Sequence, residues 1–237
     1  HMDGVRAALR LKAYRANYKF EEGYMFLMPE LAVLKREAQF FALEALDAIA
    51  AKDIPRAIAA VGDITRIGEC LKDDPILISQ LVRFACHQIA LSMTERLLKE
   101  HSLTGAECDQ LEKVMTGVKQ DDGIKHAMVG ERVCSWAMMD GSSKELARVM
   151  TFEPAGDSSF DVKTLGVSLM QLAGMTGADK RLMGETYDEL IRALDKPDYA
   201  ARDEIRDCFN TMTQKAQTFP PKVFTLMLMP ALDKSAQ

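Results

Sequence analysis

The chain has 237 residues, of which 48% are hydrophobic and 27% are charged, and its formal net charge is −5. This composition is typical of a folded globular protein and excludes the low-hydrophobicity, high-charge pattern of disordered chains. Because Lys and Arg are interspersed with Asp and Glu, no basic surface is expected for a phosphate backbone, and nucleic acid is excluded as a partner.

The first predicted elements are three helices separated by short breaks. A rough apolar stripe predicts a helix over residues 5–22, which Gly23 interrupts. Pro29 suits the first turn of a second helix, in which apolar residues then recur at spacings of three and four. The turn at residues 52–55 is so short that the third helix, over residues 55–71, must fold back antiparallel on the second.

A long fourth helix is predicted to be the central one. Asp74 can cap it and Pro75 can open it, and it extends to about residue 100. Thr104, followed three residues later by Glu107, predicts a capping box and a fifth helix to about residue 118. The remaining helices are predicted over residues 124–139, 142–150, 160–175, 178–194, 198–218 and 221–232.

The predicted fold is all-α, an irregular bundle of stacked antiparallel helical hairpins with about nine or ten helices. The hairpin near residues 30–72 has small residues on both arms, like a tetratricopeptide pair, although the signature of that repeat is missing. We expect one helical domain over residues 1–237. The Pro-, Gly- and Ser-containing stretch 151–159 is predicted to be a loop within it and is the candidate for a subdomain boundary.

One polar stripe interrupts the apolar pattern of the fourth helix. Gln80, Arg83 and His87 follow one another at spacings of three and four, which places them on one face. Buried polar groups need hydrogen-bonding partners, and helices three and six carry suitable charged residues. The expected partners are Asp63, Arg66, Glu131 and Arg132.

Three interpretations of this stripe remain open, and we favour a structural network of hydrogen bonds and ion pairs. In the second, Arg83 and Arg132 bind an anionic group while His87 and Glu131 transfer protons. The third is a solvated face. The candidate ligand-binding residues are Gln80, Arg83, His87, Glu131 and Arg132.

Other chemistry finds little support in the sequence. The histidines lack the close spacing of a metal site, and no phosphate-binding glycine motif occurs, so we predict neither metal nor cofactor and assign no catalytic residue. The odd count of five cysteines, none in CxxC spacing, argues against a complete disulfide framework and favours buried thiols. Fifteen methionines are expected mainly to fill the core.

Five stretches carry a resemblance to a protein family, and the most specific is the block Pro-Ile-Leu-Ile-Ser-Gln-Leu-Val at residues 75–82. The others are Phe41-Ala42-Leu43-Glu44-Ala45, Lys52-Asp53 with Ala57, Gly130-Glu131-Arg132 and Leu228-Met229-Pro230-Ala231-Leu232. Together they resemble uncharacterised helical proteins of planctomycetes and verrucomicrobia. The resemblance implies an all-α fold and an extracytoplasmic or membrane-anchored full-length protein, without implying an activity.

These observations favour a non-enzymatic interaction scaffold that presents a helical face to a protein partner, placed by the resemblance at the cell envelope. The alternative is a small-ligand or hydrolytic site at the polar stripe. His1-Met2-Asp3 resembles a cloning remnant, and membrane contact is expected only through a segment outside this sequence. Self-association through the aromatic residues Tyr18, Phe20, Tyr24 and Phe26 stays open.

Overall fold

A computed structural model describes residues 2–11, 14–16, 18, 28–116, 123–142, 168, 175–196, 198–218 and 222. The described residues form helices and contain no strand, which confirms the all-α class. The eight helices in this part of the chain are α1 (Met2–Ala8), α2 (Pro29–Ala50), α3 (Ile54–Glu69), α4 (Leu77–Glu100), α5 (Gly105–Met115), α6 (Gly123–Met139), α7 (Met175–Ala193) and α8 (Asp198–Gln217).

The described helices belong to two compact units. Unit 1 contains α1 to α5 and reaches Ala127, and unit 2 contains α6 from Met128 onwards together with α7 and α8. The single domain over residues 1–237 stays a prediction. Its candidate boundary, the loop at 151–159, lies outside the described residues.

Unit 1 is built around α3, which contacts α2, α4 and α5. The three-residue connection from α2 to α3 makes these two helices antiparallel, as predicted, and Asp53 caps α3 by accepting a hydrogen bond from the Arg56 N–H at 3.2 Å. Small buried residues such as Ala57 and Ala60 let neighbouring backbones approach closely. For this reason α3, rather than the predicted α4, is the central helix of unit 1.

Two predicted helix boundaries are wrong in this unit. The first helix ends at Ala8 instead of continuing. Met2, Val5 and Leu9 pack against the core of unit 1, whereas the next apolar side chain, Leu11, is exposed. The fourth helix begins at Leu77, after an extended Ile76 without a side-chain cap.

The start of α5 is confirmed in detail. Thr104 accepts a hydrogen bond from the Glu107 N–H through its hydroxyl, and the Glu107 carboxylate accepts one from the Thr104 N–H at 2.7 Å. This capping box satisfies N–H groups that a helix leaves unpaired at its start.

In unit 2, α7 and α8 follow one another closely and pack together. Their buried face includes Met183, Tyr187 and Met212, and the Tyr187 hydroxyl lies 3.1 Å from the Ser135 hydroxyl of α6. The predicted helices over 142–150, 160–175 and 221–232 lie almost wholly outside the described residues, as do Phe20, Tyr24 and Phe26. Within the described part, no helix combines the length and the apolar character needed to span a membrane.

Candidate functional site

Arg83 is the centre of the predicted polar stripe, and the structure buries it inside unit 1. Only 2% of its side chain is exposed. The guanidinium donates from Nε and Nη2 to Glu69 Oε1, at 3.1 and 2.9 Å, and from Nη1 to Gln80 Oε1 at 3.3 Å. The charge of Arg83 is therefore compensated by the last residue of α3, on the neighbouring helix.

Gln80 joins the same network to the connection between α3 and α4. Its amide nitrogen donates to the backbone carbonyl oxygens of Leu71 and Asp74, at 2.8 and 2.9 Å. Asp74 is predicted to cap α4 with its side chain. In the structure, its backbone carbonyl oxygen accepts a hydrogen bond from the Gln80 side-chain amide. The turn after α3 is thus held by a side chain from the first turn of α4.

His87 completes the stripe at a point where α4 lies close to Gly68 of α3. Its Nε2 lies 3.1 Å from Glu69 Oε1, so Glu69 faces both His87 and Arg83. A Cβ atom built on Gly68 would lie 2.8 Å from His87 Nε2, which shows that only glycine fits here without displacement. The adjacent Cys86 is buried, and burial raises the pKa of its thiol to about 11, so it is a poor nucleophile at neutral pH.

The other two candidate residues lie on the part of α6 that belongs to unit 2. Glu131 is buried. Arg132 forms an ion pair with Asp188 of α7, and its guanidinium carbon lies 5.6 Å from the centre of the Trp136 ring. The structure thus brings Gln80, Arg83 and His87 together in unit 1 and gives Arg132 a partner within unit 2.

The expected helix-three partners take another role. Asp63 forms ion pairs with Arg6 of α1, at 2.8 Å, and with Arg66, at 2.9 Å. The carboxylate beside Arg83 is Glu69, which the sequence analysis missed. A signal for it exists, because a short connection between antiparallel helices places the end of the first beside the start of the second, and Glu69 is the acidic residue at that end.

A second surface feature is a row of exposed apolar side chains on α4. Phe84, Leu91 and Leu98 are 38%, 41% and 53% exposed and follow one another at intervals of seven residues. That interval keeps them in one row along a helix. We call these three residues the α4 seam.

Unit 2 has a shallow cavity of about 360 Å³ beside Trp136. Its wall includes Lys180 and Gly184 of α7, and the Lys180 Nζ lies 5.5 Å from the centre of the Trp136 ring. The Lys180 ammonium also pairs with Asp140. Lys180 is thus engaged by Trp136 and Asp140, and Arg181, Glu185 and Asp188 line the same cavity.

The described residues include no cluster of His, Cys, Asp and Glu arranged to hold a metal ion. Their cysteines are free thiols, three of them buried. No protein-family model, curated protein or solved structure matches the chain.

Proposed function

We propose that the protein is a non-enzymatic interaction domain that binds a helix of a protein partner through the α4 seam. The observation that carries this proposal is the row of Phe84, Leu91 and Leu98, exposed at seven-residue intervals. Exposed apolar side chains that line up on one helix are typical of a surface that packs against another protein.

The seam has the chemistry of a helix-packing surface. A seven-residue apolar interval matches the repeat with which two helices stay in contact along their length. Gln88 and Glu95 are exposed between the seam residues. Polar and charged groups beside an apolar row favour one register and orientation of the partner helix. We therefore expect the partner to present an amphipathic helix.

A finer architecture that suits the same role is also proposed. We propose that the chain continues the pattern of α2 and α3 as an irregular bundle of about nine or ten helices in stacked antiparallel hairpins, with a tetratricopeptide-like pair at residues 30–72. Stacked hairpins leave helix faces exposed at regular intervals, which is how such scaffolds bind partners.

The geometry of the polar stripe favours a structural role over the alternative ligand or hydrolytic site. An anion-binding arginine needs donors that reach solvent or ligand. The Arg83 guanidinium instead makes its hydrogen bonds to Glu69 and Gln80 and is almost fully buried. Gln80 is committed to the α3–α4 connection.

The cell envelope is proposed as the place of action on the basis of the family resemblance. The test is fractionation of cells that express the full-length gene product. Recovery of the protein with membranes or in the extracytoplasmic fraction is expected. Recovery only with cytoplasmic proteins would contradict the envelope proposal while leaving the α4 seam unaffected.

Site-specific photocrosslinking tests the seam itself. A photoreactive residue at Leu91, in the full-length protein in its native cells, should yield one discrete adduct that contains another protein. The matched control is Arg96, which is exposed on a different side of α4 and should yield no such adduct.

A seam variant supplies the second arm. Leu98→Glu should remove the adduct formed from position 91 while circular dichroism still shows the wild-type helix content. Absence of a discrete adduct, or equal adducts from both positions, would contradict the proposal. An adduct between two copies of this chain would contradict the proposed partner and show that the seam mediates self-association.

A further inference from the structure

The short helix α1 is held on unit 1 by one arginine. Arg6 donates from Nη2 to Glu44 Oε2 of α2, at 2.7 Å, and from Nε to Asp63 Oδ2 of α3, at 2.8 Å. Its guanidinium carbon lies 5.1 Å from the centre of the Phe41 ring. We call Phe41, Glu44 and Asp63 the arginine notch.

The notch matches the chemistry of a guanidinium. Two carboxylates on different helices accept hydrogen bonds from two different guanidinium nitrogens, and an aromatic ring contacts the planar guanidinium. A lysine ammonium, which is a compact point charge, cannot make this set of contacts. The Glu44 and Asp63 side chains are only 13% and 6% exposed. The hydrogen bonds to Glu44 and Asp63 raise the pKa of Arg6 above its usual value, which reflects a guanidinium that this site stabilises.

Apolar contacts on both sides of Arg6 complete the recognition. Met2, Val5 and Leu9 are partly buried and pack against the core of unit 1. Their spacing of three and four places them along one face of a helical segment. The ligand that fits this part of unit 1 is therefore an amphipathic helix that carries an arginine beside its apolar residues.

α1 is attached in a way that lets it leave. It has no buried residue of its own, and residues 9–28 separate it from α2. The notch keeps cations without Arg6, because Arg66 lies 2.9 Å from Asp63 and Arg56 lies 3.5 Å from Glu44. Loss of α1 therefore does not leave two unpaired acidic groups.

We propose that the arginine notch is a binding site for a short, arginine-bearing amphipathic helix of a partner protein, and that α1 occupies this site as a tethered competitor. The site lies on α2 and α3 and is independent of the α4 seam. Because α1 belongs to the same chain as the notch, its local concentration there is on the order of millimolar. A partner helix must therefore bind the notch more tightly than α1 does, or the binding of α1 to the notch must first be weakened.

The test uses the full chain and a synthetic peptide of residues 2–11 as the probe. Peptide is titrated into wild-type protein and into the Arg6→Ala variant, and binding is followed from the backbone amide signals of Phe41, Glu44 and Asp63 by NMR. The variant is expected to bind the peptide at least about tenfold more tightly than the wild type, because its own α1 no longer competes.

Two peptide variants test the specificity of the notch. A peptide with Arg6→Ala should bind the variant chain about tenfold more weakly than the wild-type peptide. The matched control peptide carries Arg10→Ala, a change at an exposed position beyond α1, and should bind like the wild-type peptide. In the chain, a second change of Asp63→Asn should weaken binding of the wild-type peptide.

Three peptide-binding results would overturn the proposal. They are the absence of peptide-dependent shifts in a folded Arg6→Ala chain, equal binding by that chain and the wild type, and equal binding of the Arg6→Ala and wild-type peptides. If Arg6→Ala does not fold, Arg6→Lys replaces it, since its ammonium keeps the charge but loses the paired geometry.

Sedimentation of the proteins without peptide separates the partner from a second copy. The proposal expects monomers at the concentrations used for NMR. A wild-type dimer that becomes monomeric in Arg6→Ala would show that the notch exchanges α1 between two copies, and would overturn the assignment to a partner protein.

Discussion

Arg83 shows how a buried charge can specify one arrangement of two helices. The free-energy cost of removing a guanidinium and a carboxylate from water offsets most of their electrostatic attraction. The pair of Arg83 and Glu69 therefore contributes little net stability. Its effect is on geometry, because any shift of α4 along α3 would leave Arg83 buried without Glu69. Gln80 links Arg83 to the connection between the two helices, because it accepts a hydrogen bond from Arg83 and donates one to the Leu71 carbonyl oxygen.

The first prediction follows from this asymmetry. Arg83→Ala should lower the free energy of unfolding by about 3 kcal/mol, because it leaves Glu69 without its main partner. Arg96, which forms an exposed pair with Glu100, is the matched control, and Arg96→Ala should cost no more than about 0.5 kcal/mol. Chemical denaturation measures both values. Equal costs would show that the buried network does not hold the hairpin.

The second prediction concerns the thiols. Burial raises the pKa of Cys86 and of Cys134 to about 11, and that of Cys208 to about 12, whereas Cys108 is exposed. A thiol reagent at about pH 8, near the ordinary cysteine pKa, should therefore label Cys108 first, and peptide mass spectrometry identifies the site. Cys108→Ser should remove this fast phase. Rapid labelling of Cys86 in the folded protein would contradict the assignment.

The same shifts predict how stability changes with pH. A thiol whose pKa is raised by folding holds its proton in the folded state while the unfolded chain already loses it. The contribution of Cys86 to the free energy of unfolding should therefore fall as the pH rises from the ordinary thiol pKa through about 11. The measurement is the unfolding free energy of wild type and Cys86→Ala across this range, and the difference between them should shrink towards high pH.

At the scale of helices, the close approach of α3 and α4 depends on Gly68. A methyl group there would meet the His87 ring and would lie 3.3 Å from the Arg83 carbonyl oxygen. By contrast, a methyl group on Gly62 would meet Val114 at an ordinary 3.4 Å. The two glycines of one helix therefore differ in what surrounds them.

The next prediction compares these two positions. Gly68→Ala should lower the free energy of unfolding by about 1 to 3 kcal/mol, because the helices must separate to admit the methyl group. Gly62→Ala should be neutral or stabilising by up to about 1 kcal/mol, since alanine favours the helix. Thermal unfolding distinguishes the two variants. A stabilising Gly68→Ala would show that His87 moves aside without cost.

Local signals in the sequence predict the described helices well where those signals are self-contained. Pro29 opens α2 and Thr104 with Glu107 starts α5, because proline geometry and a capping box act within one turn. The Asp74–Pro75 signal fails because a more distant group, the Gln80 side chain, binds the turn. The pairing of Arg83 with Glu69 and of Arg6 with Asp63 arises from packing, which a single helix pattern does not contain.

At the scale of the whole molecule, the single-domain prediction has a direct test. Trp136 is the chain's one tryptophan and lies in unit 2, whereas Ile64 is fully buried in unit 1. Ile64→Ala should cost about 3 kcal/mol. If the chain is one cooperative domain, the midpoint of the Trp136 fluorescence change should fall together with that of the helical circular dichroism.

Separate midpoints would contradict the single-domain prediction and show that the units unfold independently. Ile78→Ala, at an exposed position of α4, is the control and should move neither midpoint. Met183→Ala in unit 2 provides the reciprocal case, in which the fluorescence midpoint must fall.

The attachment of α1 also has a consequence for the order of folding. Helices α2 to α5 contact neighbours that follow them within a short stretch of chain, and such local contacts form rapidly. Arg6 instead meets residues 38 and 57 positions away, which requires closing longer loops. Refolding monitored by helical circular dichroism should therefore precede docking of α1, leaving the arginine notch briefly accessible in every newly folded chain.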